Sequence, residues 1–419
     1  APPPPTVDAA RWPDVARRPT AGRASTAVAR HLVRRAVDRL PLTLRTPDGR
    51  ERGLGGPALH VHDPDAFHRR LAADGLIGFG ESYQAGEWDA PDLVAVLTVL
   101  ARDLATLIPP ALQTLRPLWA TRQPPGADGT PYHAAANIPR HYDLSDELFA
   151  LFLDPTMTYS SAVFPTLPAT HADLTAAQHH KIDRLLDLAA VGAGTRLLEI
   201  GTGWGELALR AAARGARVHT VTLSPAQLAT ARRRVADAGL ADRVTLRLAD
   251  YREIEGRFDA VVSVEMIEAV GAAHWPTYFR TLDRLLRPGG HIALQAITMP
   301  HRRMLASRRT HTWIQKYVFP GGMLPSGHAI DETVARHTGL RVAASTGFAP
   351  HYAETLRLWR ERFAAHATEV GALGFDDTFR RTWTFYLAYS EAGFRAGYLD
   401  VRQLLITGNG AAPTREVRR

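Results

Sequence analysis

At 419 residues the chain is too long for one ordinary domain, so two are expected, with 45% apolar residues supplying ample core. The absence of cysteine excludes disulfides, thiolate metal sites and cysteine nucleophiles together, and no metal site is expected. No apolar run approaches the ~18 residues of a membrane-spanning helix, and Ala1-Pro-Pro-Pro-Pro-Thr6 lacks the apolar stretch of a secretory signal, so a cytoplasmic protein is expected. The net charge of +8 rests almost wholly on arginine, Lys181 and Lys316 being the only lysines; no zinc-ligand spacing, aromatic RNP-like strand or continuous basic run points to nucleic acid.

Residues 1–25, rich in Pro, Ala and Arg, read as a loose arm. Residues 26–121 read as a small α+β domain: a basic helix, a strand at Leu42-Thr-Leu-Arg45, a turn at Pro47-Asp-Gly49, and helices from Asp65 and Asp92. In the first helix Arg23, Arg30, Arg34, Arg35 and Arg39 surround an apolar stripe of Val28, Leu32, Val33, Val37 and Leu40. Such a helix suits an anionic membrane surface, with ordinary packing on its own domain as the alternative. Arg122-Gln-Pro-Pro-Gly-Ala-Asp-Gly-Thr-Pro131 reads as a linker, residues 132–410 as a catalytic domain and 411–419 as a tail.

Within the catalytic domain, Arg196-Leu-Leu-Glu-Ile-Gly-Thr-Gly-Trp-Gly-Glu-Leu207 is an apolar strand that breaks into a glycine turn opening a helix. Gly201 and Gly203 let the backbone approach a ligand, and the helix-start amides offer donors. A second strand, Arg217 to Ser224, carries threonines and a serine where a dinucleotide fold would want an acidic residue for the ribose. A third, Val244-Thr-Leu-Arg-Leu248, leads to Asp250-Tyr251, a carboxylate and a ring suited to adenine. Phe258–Val264 and His291–Ile297 follow at regular intervals. The βαβ alternation implies a Rossmann-like parallel sheet with ligands at the strand C-termini, and the loop chemistry favours S-adenosylmethionine over a dinucleotide. After the fifth strand the pattern is interrupted over 299–345.

Upstream lies His141-Tyr-Asp-Leu-Ser-Asp-Glu-Leu-Phe-Ala-Leu-Phe-Leu-Asp-Pro-Thr-Met-Thr-Tyr-Ser-Ser161. With the glycine loop, Val221-Thr-Leu-Ser-Pro-Ala-Gln227, Val264-Glu-Met-Ile-Glu-Ala-Val-Gly271, the run Gln315 to Ser326, His351-Tyr-Ala-Glu-Thr-Leu356 and Tyr386 to Phe394, it resembles the cyclopropane fatty acyl phospholipid synthase family. Gly78-Phe-Gly-Glu-Ser-Tyr-Gln-Ala-Gly-Glu-Trp-Asp89 resembles the extra N-terminal domain of longer bacterial members. Trp12-Pro-Asp-Val-Ala16, Gln295-Ala-Ile-Thr-Met-Pro300 and His351 to Phe363 are most similar to the actinobacterial branch that makes 10-methylene acyl chains, precursors of tuberculostearic acid.

The resemblance implies methyl transfer from S-adenosylmethionine to a cis double bond of a phospholipid acyl chain, such as oleoyl. A cyclopropane product, or a non-catalytic lipid- or cofactor-binding protein, stands as the alternative. It also implies a bound bicarbonate as base, held by a glutamate, a histidine, a tyrosine and the backbone at the cysteine of a Thr-Tyr-Ser-Cys motif. Glu268 and Tyr352 match the glutamate and tyrosine; the cysteine position is Ser161 and the histidine position Gln295. Each has a plainer reading: Glu268 at a helix start, Tyr352 as a core ring, Gln295 as a structural amide. Glu265 stands where many cyclopropane-forming members carry a small residue, and reads as meeting an arginine.

For the cofactor, Tyr159 and Ser160 are expected at the methionine end, Gly201 and Gly203 at the backbone edge, Thr222 and Gln227 at the ribose, and Asp250 with Tyr251 at adenine. Trp204 walls the methionine pocket or caps it from solvent. Phe319-Pro-Gly-Gly-Met-Leu324 suits an acyl-channel wall or a packing loop. The expected location is the inner face of the cell membrane, held peripherally by an anionic surface. A separate reductase and a homo-oligomeric state stay open.

Overall fold

Alternating apolar positions and short polar turns build the first sheet, and near-continuous apolar runs build the second, larger one. The computed structural model describes residues 7–107, 144–308 and 310–408. Two units emerge: 1–124 with 309–320 and 356–398, and 125–308 with 321–355 and 399–419.

The first unit holds a four-stranded sheet, β1 (Thr43–Arg45), β2 (Glu51–Arg52), β3 (Ala58–Val61) and β4 (Trp88–Asp89), in the order β2-β1-β3-β4. Helices Arg23–Val37, Pro64–Asp74, Leu76–Gln84, Leu93–Leu107 and Asp377–Arg395 accompany it. Asp63 caps the second of these by accepting the Ala66 amide at 3.0 Å. Trp88 is fully buried, stacked on Phe79 at 4.6 Å, with its indole N–H donating to Ser82. Within the expected arm residues 12–15 pack on the first unit: Val15 is buried, Trp12 donates to Asp376, and the buried Arg70 holds the Asp14 and Val15 carbonyls while pairing with Glu87 at 2.7 Å. Two apolar anchors and a buried arginine outweigh the Pro-rich composition. Val37 at the end of the basic helix and Leu40 just beyond it turn into the unit's core, while Val28 stays 53% exposed.

The second unit is built on β5 (Arg196–Ile200), β6 (Arg217–Thr222), β7 (Val244–Leu248), β8 (Phe258–Val264), β9 (Leu286–Thr298), β10 (Leu340–Gly347) and β11 (Asp400–Gly408), in the order β10-β11-β9-β8-β5-β6-β7. The five expected strands are parallel to one another, and β11 is inserted antiparallel between β9 and β10. The last two strands were not anticipated. The expected catalytic domain is also not one continuous stretch, since 309–320 and 356–398 fold with the first unit. The linker at 122–131 and the tail at 411–419 lie outside the described residues.

Strand alternation sorts the side chains into two cores. Leu198, Ile200, Val261 and Leu294 face Phe279, Leu282 and Val334, whereas Leu197, Ala260, Val262 and Ala293 face Ile182, Leu185 and Ala211. By the same parity Glu199, Gln295 and Gln403 lie on the face covered by helix Leu174–Leu188, which carries Lys181. Because the chain passes from β6 and β7 on one side of β5 to β8 and β9 on the other, the crevice at the C-terminal ends of β5 and β8 is the ligand edge.

Candidate active site

The glycine turn after β5 and the loop after β8 meet at this edge. Gly201 has φ +98°, and a Cβ there would lie 2.7 Å from Met266 Cγ, so only glycine lets the two loops close. Gly203, φ +51°, has no protein atom within 4 Å of its Cβ position: its bare backbone faces open space that a ligand can enter. Trp204 is buried, its indole N–H donating to Asp146 at 2.7 Å and its ring 5.1 Å from Phe149, which also packs edge-on against Tyr159. Trp204 is therefore not an exposed cap.

The remaining expected cofactor residues are already engaged with the chain. The Thr222 hydroxyl donates to Gln227 at 3.1 Å. Asp250 accepts both the backbone and the guanidinium of Arg252, and the Tyr251 ring packs edge-on against Tyr278 at 5.4 Å. Ser160 accepts Lys181 Nζ at 2.6 Å through its hydroxyl and Gln178 at 2.8 Å through its carbonyl, which fixes the Tyr159–Ser161 strip above helix Leu174–Leu188.

Ser161, Gln295 and Tyr352 do converge, and the point of convergence is the carboxylate of Glu265. The Ser161 amide donates to Oε1 at 3.0 Å, Gln295 Nε2 donates to the same oxygen at 2.8 Å, and the Tyr352 hydroxyl donates to Oε2 at 2.7 Å. The expected arginine partner is not what Glu265 meets. Gln403, opposite Gln295 in the β9–β11 register, donates to Gln295 Oε1 at 3.0 Å and so orients the amide with its N–H toward Glu265. The backbone of Glu265 also donates to the Gln295 carbonyl at 2.8 Å.

Glu265 has φ +52°, a left-handed conformation that costs a non-glycine residue roughly 1–3 kcal/mol. Ser161 and Gln295 are fully buried and Tyr352 nearly so, while Glu265 stays partly exposed. Burial raises its carboxyl above the usual range, and Gln295, Tyr352, Lys181 and the Ser161 amide oppose that rise.

Glu268 has a different environment. One oxygen accepts the Ile297 amide at 2.5 Å and the other is buried without a hydrogen-bond partner. Burial pushes it up to about 8, and the charge of Glu265 adds to this. Glu265 thus meets three donors and Glu268 one, so hydrogen bonding opposes the effect of burial more strongly at Glu265 than at Glu268.

Glu265, Lys181 and Gln403 were missed as site residues. Burial pushes Lys181 down to about 8, with Glu265, Asp154 and Glu199 as its opposing charges. Its signal was present in the sequence: one of only two lysines among arginines, on a helix face that is otherwise apolar but for Gln178. Phe319 packs on Tyr386 within the first unit, whereas Met323, in the second, is buried and donates its amide to the Glu268 carbonyl. Among the described residues there is no cluster fit to hold a metal, and no helix is long and apolar enough to cross a membrane.

The family described as mycolic acid cyclopropane synthetase matches residues 130–404. The tuberculostearic acid methyltransferase UfaA1 of Mycobacterium tuberculosis is 54% identical over 413 residues, covering 96% of this chain and 97% of that protein. The cyclopropane-fatty-acyl-phospholipid synthase of Escherichia coli is 33% identical, covering 83% and 87%. Among solved structures, mycolic acid cyclopropane synthase CmaA1 complexed with SAH and CTAB matches with a TM-score of 0.60 and 33% identity, over 65% of this chain and 97% of that one. The glycine turn, the strand order and these matches agree: the chain belongs to the mycolic acid cyclopropane synthetase family.

Proposed function

We propose that this protein transfers a methyl group from S-adenosylmethionine to the cis double bond of an unsaturated phospholipid acyl chain, leaving a 10-methylene branch on the route to tuberculostearic acid. The observation that carries the reading is the carboxylate centre beside the glycine turn: a base held ready at the edge where the cofactor's methyl would be presented. The 54% identity to a tuberculostearic acid methyltransferase over nearly the whole chain supports the same product.

The cofactor supplies an electrophilic sulfonium methyl. The residues fit it: Gly203 gives close backbone approach, Tyr159 and Trp204 with Phe149 form an aromatic cluster beside the turn, and Thr222 ends the next strand, Gln227 opens the helix after it, and Asp250 with Tyr251 follows the strand beyond. An isolated alkene is a poor nucleophile, so orientation against that methyl in a dry site supplies much of the acceleration. The alkene π pair forms the new C–C bond as the C–S pair returns to sulfur, and the neighbouring carbon becomes a cation. A hydride shift onto that carbon moves the cation to the branched position, and loss of a methyl proton then gives the exocyclic methylene. Direct loss with ring closure would give cyclopropane, the second reading, which the 33% identity to the Escherichia coli synthase keeps in view. Both endings need a base and no water.

A bound bicarbonate does not fit the donors present. The Ser161 amide, Gln295 and Tyr352 end on Glu265, and the Glu268 carboxyl offers a buried, proton-bearing oxygen without a further donor beside it.

The basic helix Arg23–Val37, with Val28 exposed among arginines, supports binding to an anionic membrane surface from which an acyl chain is drawn. Saturating a methylene to a methyl branch adds two hydrogens and is work for a separate reductase. The test of the reading is incubation with S-adenosylmethionine and dioleoyl phospholipid vesicles, with the acyl products identified by mass spectrometry and NMR. A vinylidene product supports it; unchanged oleoyl chains overturn it.

A further inference from the structure

We propose that Glu265 is itself the base that takes the proton released after methyl transfer, so that the chain carries its own carboxylate at the point where three donors converge and needs no bound anion. The inference rests on the methyl-transfer reading above and names the proton acceptor within it.

Four independent observations lead there. The Ser161 amide, Gln295 Nε2 and the Tyr352 hydroxyl give Glu265 the donor set of an ionised carboxylate, at 3.0, 2.8 and 2.7 Å. The donors Ser161, Gln295 and Tyr352 are buried, whereas Glu265 as a residue is half-buried at the ligand edge. Its left-handed backbone is held against strain by the Gln295 carbonyl, a cost with no evident packing return. Met266, the next residue, lies against the Gly201 turn, which places Glu265 beside the cofactor loop.

In the step itself, the C–H pair of the new methyl becomes the second bond of the exocyclic double bond, and the proton passes to a Glu265 oxygen. Glu265 leaves neutral and returns the proton to solvent before the next turnover. Nothing is oxidised or reduced: alkene and sulfonium become methylene product, thioether and one proton. Gln403 acts through Gln295 as a positioning residue, fixing the amide that donates to Glu265.

The test is single-turnover product formation by the full chain with dioleoyl phospholipid vesicles, in buffer scrubbed of carbon dioxide and in the same buffer with bicarbonate restored. The parent should form product at the same rate in both. Glu265→Gln should lose roughly 100-fold or more in rate while binding S-adenosylhomocysteine as the parent does. Glu265→Gly, which vacates the space among the three donors, should be as slow when scrubbed and regain rate with added bicarbonate or formate. A parent rate that collapses in scrubbed buffer and returns with bicarbonate overturns the proposal and leaves the methyl-transfer reading standing, as does a Glu265→Gln rate equal to the parent's. A parent that methylates no lipid in either buffer overturns both. The parent comparison decides even where a variant fails to fold.

Discussion

The Tyr352 hydroxyl donates to Glu265 at 2.7 Å, joining the helix after β10 to the loop after β8 across the C-terminal edge of the sheet. That bond explains why a tyrosine is used at a position where a buried phenylalanine would pack equally well. A hydrogen bond to an ionised group is worth about 1.5–3 kcal/mol, so Tyr352→Phe should slow turnover roughly 10- to 100-fold. Affinity for S-adenosylhomocysteine, measured by calorimetry, should stay within about threefold, because the hydroxyl serves the carboxylate and not the cofactor. Parallel losses in both quantities would place Tyr352 at the cofactor.

Gly203 and Gly201 separate ligand contact from packing. Gly203→Val puts a branched side chain at φ +51° in space free of other protein atoms, so it should lower thermal stability through backbone strain and weaken S-adenosylmethionine binding by about tenfold or more as its methyls fill the ligand's space. Gly201→Ala must displace Met266, and should lower thermal stability as well as affinity. Calorimetric titration with a thermal melt of each variant checks both; a folded Gly203→Val of parent affinity would remove the turn from the cofactor site.

Glu199 and Glu268 are each pushed up to about 8, with burial the main cause. In the unfolded chain they ionise near 4.5, so between that pH and about 8 the unfolded state releases protons that the folded state retains. Their stabilising contribution is therefore full below about 4.5 and is lost as pH rises through 8. Replacing either by glutamine removes its part of that loss. The difference in melting temperature, variant minus parent, should grow in favour of the variant from pH 5 to pH 8. A constant difference across that range would mean that the carboxyl is ionised in the folded protein.

Binding to vesicles should follow the arginines of helix Arg23–Val37. Sedimentation with phosphatidylglycerol vesicles should weaken as salt rises from 0.05 to 0.5 M, and Arg30→Glu with Arg34→Glu should abolish most of it. Equal binding to neutral and anionic vesicles at every salt concentration would make the helix ordinary structure, as its buried Val37 and Leu40 already are in part.

How far the sequence could be read depended on whether the determining contacts were local. The glycine turn and the five parallel strands were legible because each is a short pattern with its own period. β10 and β11 were not, since β11 pairs with β9 and β10 with β11, each joining segments more than 40 residues apart with helices between them. Ser161, Gln295 and Tyr352 group in the sequence around a bicarbonate shared with Glu268, whereas in the structure all three donate to Glu265. In a chain so rich in arginine, a glutamate suggests an ion pair, and only the folded register shows three neutral donors reaching Glu265. The ordered Trp12 and Val15 were hidden for a related reason: two apolar residues do not stand out in a Pro-rich background, yet each finds a partner far along the chain.

The most direct measurement uses oleoyl phospholipid deuterated at both alkene carbons, with the product read by NMR. Methyl addition at C10, hydride shift to C9 and proton loss from the methyl should leave both deuterons on C9, beside an undeuterated exocyclic methylene. A cyclopropane carrying one deuteron on each ring carbon of the former alkene would contradict the account.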